Sequence, residues 1–137
     1  MLMENVRRAK NTAARWELID RGLANVYAIR AASAVKFGQT CGPVEKRLAA
    51  LQTACPVDLE LLGSTLCAAA VEGGIHDYLK PRAHLRGEWF VFDHPESQEI
   101  IRLIQTQQGG ELLRLTRPEY YRANVADANE VCMSIDL

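Results

Sequence analysis

Four side chains in this sequence are of the types that hydrolyse phosphodiesters. Tyr27 stands in "VYAI", Lys36 in "VKFG", Arg47 in "EKRLAALQTACP" and Glu72 in "VEGGIH". That reaction needs an aligned and activated water and stabilisation of the charge that builds on the phosphate. It usually also needs a divalent cation held by a carboxylate. A phenol, an ammonium, a guanidinium and a carboxylate match those needs. His76 follows Glu72 at i,i+4, so the two share one helix face and could share a metal environment. Spacing alone does not make these groups converge. Each has a plainer alternative: Tyr27 as a core or edge tyrosine, Lys36 as a solvated strand residue, Arg47 and Glu72 as helix surface, and His76 as a simple hydrogen-bonding group.

Local pattern predicts the elements that must position them. "LANVYAIRA" is a short apolar strand, "ASA" a turn and "AVKFGQT" a second strand, and so short a connection favours an antiparallel hairpin. Gly42-Pro43 breaks the strand, and Pro43 suits the first turn of a helix, where a missing N–H costs nothing. That helix, "VEKRLAALQTA", places Val44, Leu48 and Leu51 on one face, leaves Arg47 outside it, and ends at Cys55-Pro56. In "VDLELLGSTL" the residues Val57, Leu59 and Leu61 alternate inward, which predicts a third strand. "CAAAVEGGIHDYLK" reads as a helix carrying Glu72 and His76. Gly73-Gly74 weakens it by about 1 kcal/mol per Gly relative to Ala, so tight packing or a close approach is expected there. "RGEWFVFD" is a strand or a docking loop, with Trp89 and Phe90 closing the core under the sheet and Gly87 permitting a tight entry; the alternative is that Glu88 reaches the site. "PESQEIIRLIQTQ" is an amphipathic helix that Gly109-Gly110 should end, followed by a weakly patterned tail. Residues 4–20 also carry a helical period, with Gly22 as the stop.

The whole chain sets the bounds. Its 137 residues suit one domain, and 48% hydrophobic content can form a core. No apolar run approaches the roughly 20 residues that span a bilayer. The N-terminus has early charges without an apolar stretch after them, which predicts no signal peptide and a cytoplasmic location. Cys41, Cys55, Cys67 and Cys132 are scattered without a Cys-x-x-Cys pair, which argues against a zinc ribbon or finger. Residues 1–50 hold nine Lys/Arg against four Asp/Glu, and residues 51–137 hold seven against thirteen. A basic half can attract a polyanion in a chain whose net charge is −1. Ile100, Ile101, Leu103 and Ile104 are many apolar residues for one short helix; they would cover the core or form a homodimer face.

The motifs together resemble the GIY-YIG nuclease superfamily, in particular its small bacterial and phage branch. There the first motif reads "VYFI" and the second "VKIG"; here they are "VYAI" and "VKFG". The branch continues with an "RLxxLQTxxP" helix, matched by "RLAALQTACP", then a Glu-x-x-Leu-His segment, matched by "EGGIH", and closes with "GEWF", present at Gly87–Phe90. The match spans roughly residues 24–92, about half the chain. It departs from the superfamily in lacking the first motif's Gly, with Asn25 two residues before Tyr27. The resemblance implies an α/β (α+β) domain with a central three-stranded antiparallel sheet flanked by helices. The nuclease domain would be residues 23–93, preceded by a helix over 1–22 and followed by a packed helix and tail over 94–137. It implies DNA cleavage with one Mg²⁺ or Mn²⁺ held by Glu72. Arg47 would contact the scissile phosphate, and Tyr27 would position or deprotonate the attacking water. Lys36 would replace the second motif's tyrosine, acidifying that phenol or holding the water. His76 would support the site or the leaving group. A catalytically inactive nucleic-acid-binding or protein-interaction module of the same fold is the alternative.

Overall fold

In the computed structural model, which describes residues 22–119, the chain opens with the expected hairpin. The helix expected over 4–20, Cys132 and the end of the tail lie outside the described residues. Strands β1 (Leu23–Ala31) and β2 (Ala34–Thr40) pair antiparallel across Ala32-Ser33. Ala32 takes φ 55°, the left-handed conformation that a two-residue hairpin turn favours. Helix α1 (Val44–Thr53) follows, with Pro43 at its N-cap position and not inside its first turn. Then come β3 (Glu60–Ala68), α2 (Ala70–Ala83), β4 (His84–Arg86), β5 (Trp89–Val91), α3 (Pro95–Gln105) and α4 (Gly109–Thr116).

The sheet has five strands in the order β3-β1-β2-β5-β4, which corrects the expected three. The inner part, β3-β1-β2, is the predicted antiparallel unit. The addition comes from "RGEWFV": β4 and β5 are three residues each, too short to show a period-2 pattern, and Gly87 (φ 56°) turns one into the other. β5 joins β2 through Ala34↔Val91, Val35↔Phe90 and Lys36↔Trp89. At the other end of the sheet, two glutamine side chains occupy carbonyls of β3: Gln105 Nε2 donates to Leu62 O at 3.0 Å and Gln107 Nε2 to Ser64 O at 2.7 Å. Satisfied edge carbonyls are poor templates for another strand.

The pleat sends alternate residues to opposite faces. Val26, Ala28, Val35, Phe37 and Phe90 face the main core, where α2, α3 and α4 contribute Val71, Ile75, Leu79, Ile100, Ile104 and Leu112. Ile101 and Leu103 are buried there too, so the apolar side of α3 covers the core and is not a free dimer face. The opposite face holds a smaller cluster of Tyr27, Ile29 and Val44, flanked by Leu48, Leu51, Leu59 and Leu61 under α1. Val57, expected inward, is 46% exposed because β3 begins only at Glu60 and leaves it in the preceding loop.

Gly109-Gly110 opens α4 instead of closing α3, which ends at Gln105. The reversal happens between them, where Gln107 takes φ 59°. Burial of Leu112 and Leu113 then holds α4 against the core. The glycine pair in α2 has a packing cause. A Cβ on Gly74 would lie 2.7 Å from Thr116 Oγ1 and 2.9 Å from Arg117 Cγ, so Gly74 lets α2 and α4 approach closely. Of the cysteines, Cys41 is exposed, Cys55 half-buried and Cys67 within the core. No helix among the described residues is long and apolar enough to cross a membrane.

Candidate active site

Tyr27 points to the α1 face because Val26 and Ala28, its neighbours on β1, point to the main core. Its cross-strand partners are Gly38 on β2 and Ser64 on β3, both small. A Cβ on Gly38 would meet Tyr27 Oη and lie 2.6 Å from Cζ, so the ring occupies the space a side chain at 38 would need. The phenol thereby lies over β2, and the residue as a whole is 1% exposed.

Arg47 comes to this ring from α1. It lies on the solvent side of the helix, yet its Nε donates to Tyr27 Oη at 3.3 Å. This hydrogen bond, the charge of Tyr27 in its ionised form and, more weakly, Glu88 raise the guanidinium pKa above its ordinary value. Lys36 lies two residues before Gly38 on β2 and therefore on the same face, opposite Ile29 and Trp89. Its Nζ donates to Glu88 Oε1 at 2.5 Å, with the lysine side chain 16% exposed and the glutamate side chain 62%.

Glu88, which sequence reasoning named only as an alternative, is at the site. It sits beside Gly87 on the turn between β4 and β5. The hydrogen bond from Lys36, and then that ammonium's charge, hold its carboxyl below the usual carboxylate range; His76 and Arg47 act in the same direction. Its carboxylate therefore lies within the fields of β2, α1 and α2 at once. The intact "GEWF" next to a turn glycine was the available signal, but only the pairing of Lys36 with Trp89 brings residue 88 to the ammonium.

Glu72 and His76 approach from α2. β5 pairs with β2 through Ala34–Lys36, and just past that ladder the Phe37 carbonyl lies 2.7 Å from His76 Nε2. A carbonyl can only accept, so Nε2 carries the proton. Glu72 Oε2 is 3.7 Å from the same nitrogen, too long for a hydrogen bond. Hydrogen bonds thus join Tyr27 with Arg47 and Lys36 with Glu88, and Glu72 lies beside His76. Glu88 links the three pairs through its electrostatic neighbours. No direct contact joins Glu72 to Arg47 or Tyr27.

Among the described residues, no group of three or more His, Cys, Asp or Glu side chains could hold an ion. The His76 nitrogen 3.7 Å from Glu72 carries the proton given to the Phe37 carbonyl, so that nitrogen does not share an ion with Glu72. Of the two carboxylates at the site Glu88 is engaged by Lys36, which leaves the partly exposed Glu72. That does not suit zinc, which takes several nitrogen or sulfur ligands. It does suit Mg²⁺ or a similar hard cation, which keeps most of its waters and shares substrate phosphate oxygens. Compared with protein-family models, curated proteins and solved structures, the chain matches none.

Proposed function

We propose that this domain is a metal-dependent DNA endonuclease of GIY-YIG type that hydrolyses phosphodiester bonds. One observation carries the reading: a phenol, a guanidinium and an ammonium from three elements gather on one sheet face, with Arg47 Nε on Tyr27 Oη at 3.3 Å. Arg47 is exposed and offers a planar fork of donors that suits a phosphate. When it turns to the substrate it uncovers Tyr27 Oη, which then positions the attacking water or, where the phenol has first lost its own proton to solvent, takes the water's proton as the phenolate. Lys36 supplies a second cation beside the phosphate, and Glu88 holds that ammonium in place. Glu72 would hold Mg²⁺ or Mn²⁺, which supplies stabilisation of charge on the phosphate when bound. His76, anchored to the β2 backbone through Nε2–H, acts as a positioning residue beside Glu72.

The test is incubation of purified protein with single-stranded, duplex and branched DNA in Mg²⁺ or Mn²⁺. Wild type should cut at least one of them, and Glu72→Ala should lower the rate on the order of 10²-fold or more. A wild type indistinguishable from Glu72→Ala on all three would overturn the reading. A second reading, an inactive DNA-binding module of this fold, is favoured by the burial of Tyr27 at 1% exposure. It expects binding that weakens steeply with salt and is indifferent to metal.

A further inference from the structure

One pleat along from Tyr27, the same sheet face opens into a groove. Ile29, Lys36 and Trp89 form a single cross-strand row at its floor. Leu51 near the end of α1, with Cys55 and Leu59 in the loop that follows, wall it, and the space is about 220 Å³. The small cluster under α1 does not fill this space: only Tyr27, Ile29 and Val44 are fully buried there. The far wall is braced. Gln52 Nε2 donates to Val57 O at 2.9 Å and, at 3.4 Å, to Cys55 O; Gln52 Oε1 accepts from Leu59 N–H at 2.8 Å. One side chain thereby fixes the loop that carries Cys55 and Leu59.

We propose that this groove takes a single unpaired nucleobase of the substrate strand, the one next to the phosphate held by Arg47 and Lys36. The proposal rests on the nuclease reading. A nucleotide joins an anion to a flat, weakly polar ring by a short tether, and the protein presents the complementary pair. Gly38, beneath the Tyr27 ring, and Lys36 are two residues apart on β2, about 7 Å, so the cationic cluster and the groove are immediate neighbours. Lys36 belongs to both. Trp89 and the aliphatic walls suit the π-face of any base, and stacking of this kind is sequence-tolerant. A base that is paired and stacked in a duplex cannot enter, so the preferred substrate has a single-stranded, flapped or extruded nucleotide.

The test measures binding without cleavage, in EDTA at low salt. A labelled single-stranded oligonucleotide is compared with an abasic oligonucleotide of the same length and charge. Wild type should bind the base-containing strand roughly 5- to 100-fold more tightly. Trp89→Ala should lose that preference while keeping its affinity for the abasic strand, and Trp89→Phe should retain much of it. Trp16 and Trp89 are the two tryptophans, so in a Trp16→Phe protein the base-containing strand alone should quench the remaining fluorescence. Equal affinity of wild type for both strands, or quenching by both alike, overturns the groove assignment and leaves the phosphate site standing. Binding of neither strand overturns the groove assignment, and the cleavage test in Mg²⁺ or Mn²⁺ then decides the nuclease reading separately.

Discussion

A methyl group at position 38 would collide with the Tyr27 ring, so the last residue of "VKFG" is set by the second residue of "VYAI" on the neighbouring strand. The rigid ring and the β-ladder beneath it leave little room to relax. Gly38→Ala should therefore cost about 1–3 kcal/mol, as overpacking does, read as a lowered midpoint in urea denaturation. It should also separate Tyr27 Oη from Arg47, so the proposed cleavage should fall even at temperatures where the variant is folded. An unchanged midpoint would mean that the ring is not held over Gly38. Lys36 shows the same dependence on a distant residue. Its partner Glu88 is 52 positions away in sequence, and no local pattern could announce the pair.

Among the elements, α2 carries the clearest conflict between local preference and packing. Alanine in place of glycine gains about 1 kcal/mol of helix propensity. At Gly74 the new methyl would meet Thr116 Cβ at 3.1 Å and Arg117 Cγ at 2.9 Å, and the overpacking cost of about 1–3 kcal/mol outweighs that gain. At Gly73 it would meet only Arg117 Nη2, at 3.1 Å, the end of a flexible side chain that can shift. Gly73→Ala should thus be neutral or raise the melting temperature, whereas Gly74→Ala should lower it. The reverse order would show that α4 does not pack on α2 as described. Gly74 therefore answers to α4, whereas Gly73 does not. The hairpin and α1 were legible because each is a long enough local pattern with its own stop signal: two apolar runs about a short turn, and Gly42-Pro43 ahead of a 3.6-residue period. β4 and β5 were not, because three residues carry no period. α4 was missed because paired glycines read as a stop, although burial of Leu112 and Leu113 outweighs that preference.

For the whole molecule, three carboxyls share one titration behaviour. Glu88, Glu99 and Glu111 are each held below the usual range, first by hydrogen bonds from Lys36, Arg102 and Arg114 respectively. A carboxyl lowered on folding adds stability above its unfolded pKa, about 4.3, and loses it as pH falls through the lower native value. Stability should be flat from neutral pH to about 5 and decline below about 4. Glu88→Gln should be less stable than wild type at pH 7 by no more than about 1 kcal/mol, since the glutamate side of the pair is largely exposed, and the gap should close in acid. A gap that widens as pH falls would contradict the depressed value. The sequence by itself determined the hairpin, the helix that carries Arg47, the helix that carries Glu72, and the presence of group types suited to phosphodiester chemistry. Those follow from periodicity and turn residues, which act over a few positions. Only the tertiary structure decided that β5 extends the sheet, that Glu88 faces Lys36, that Tyr27 is roofed by Arg47, and that a groove opens beside Trp89. Each of these depends on residues far apart in the chain meeting across strand pairings and helix packing, and such meetings are fixed by the shape of the folded core.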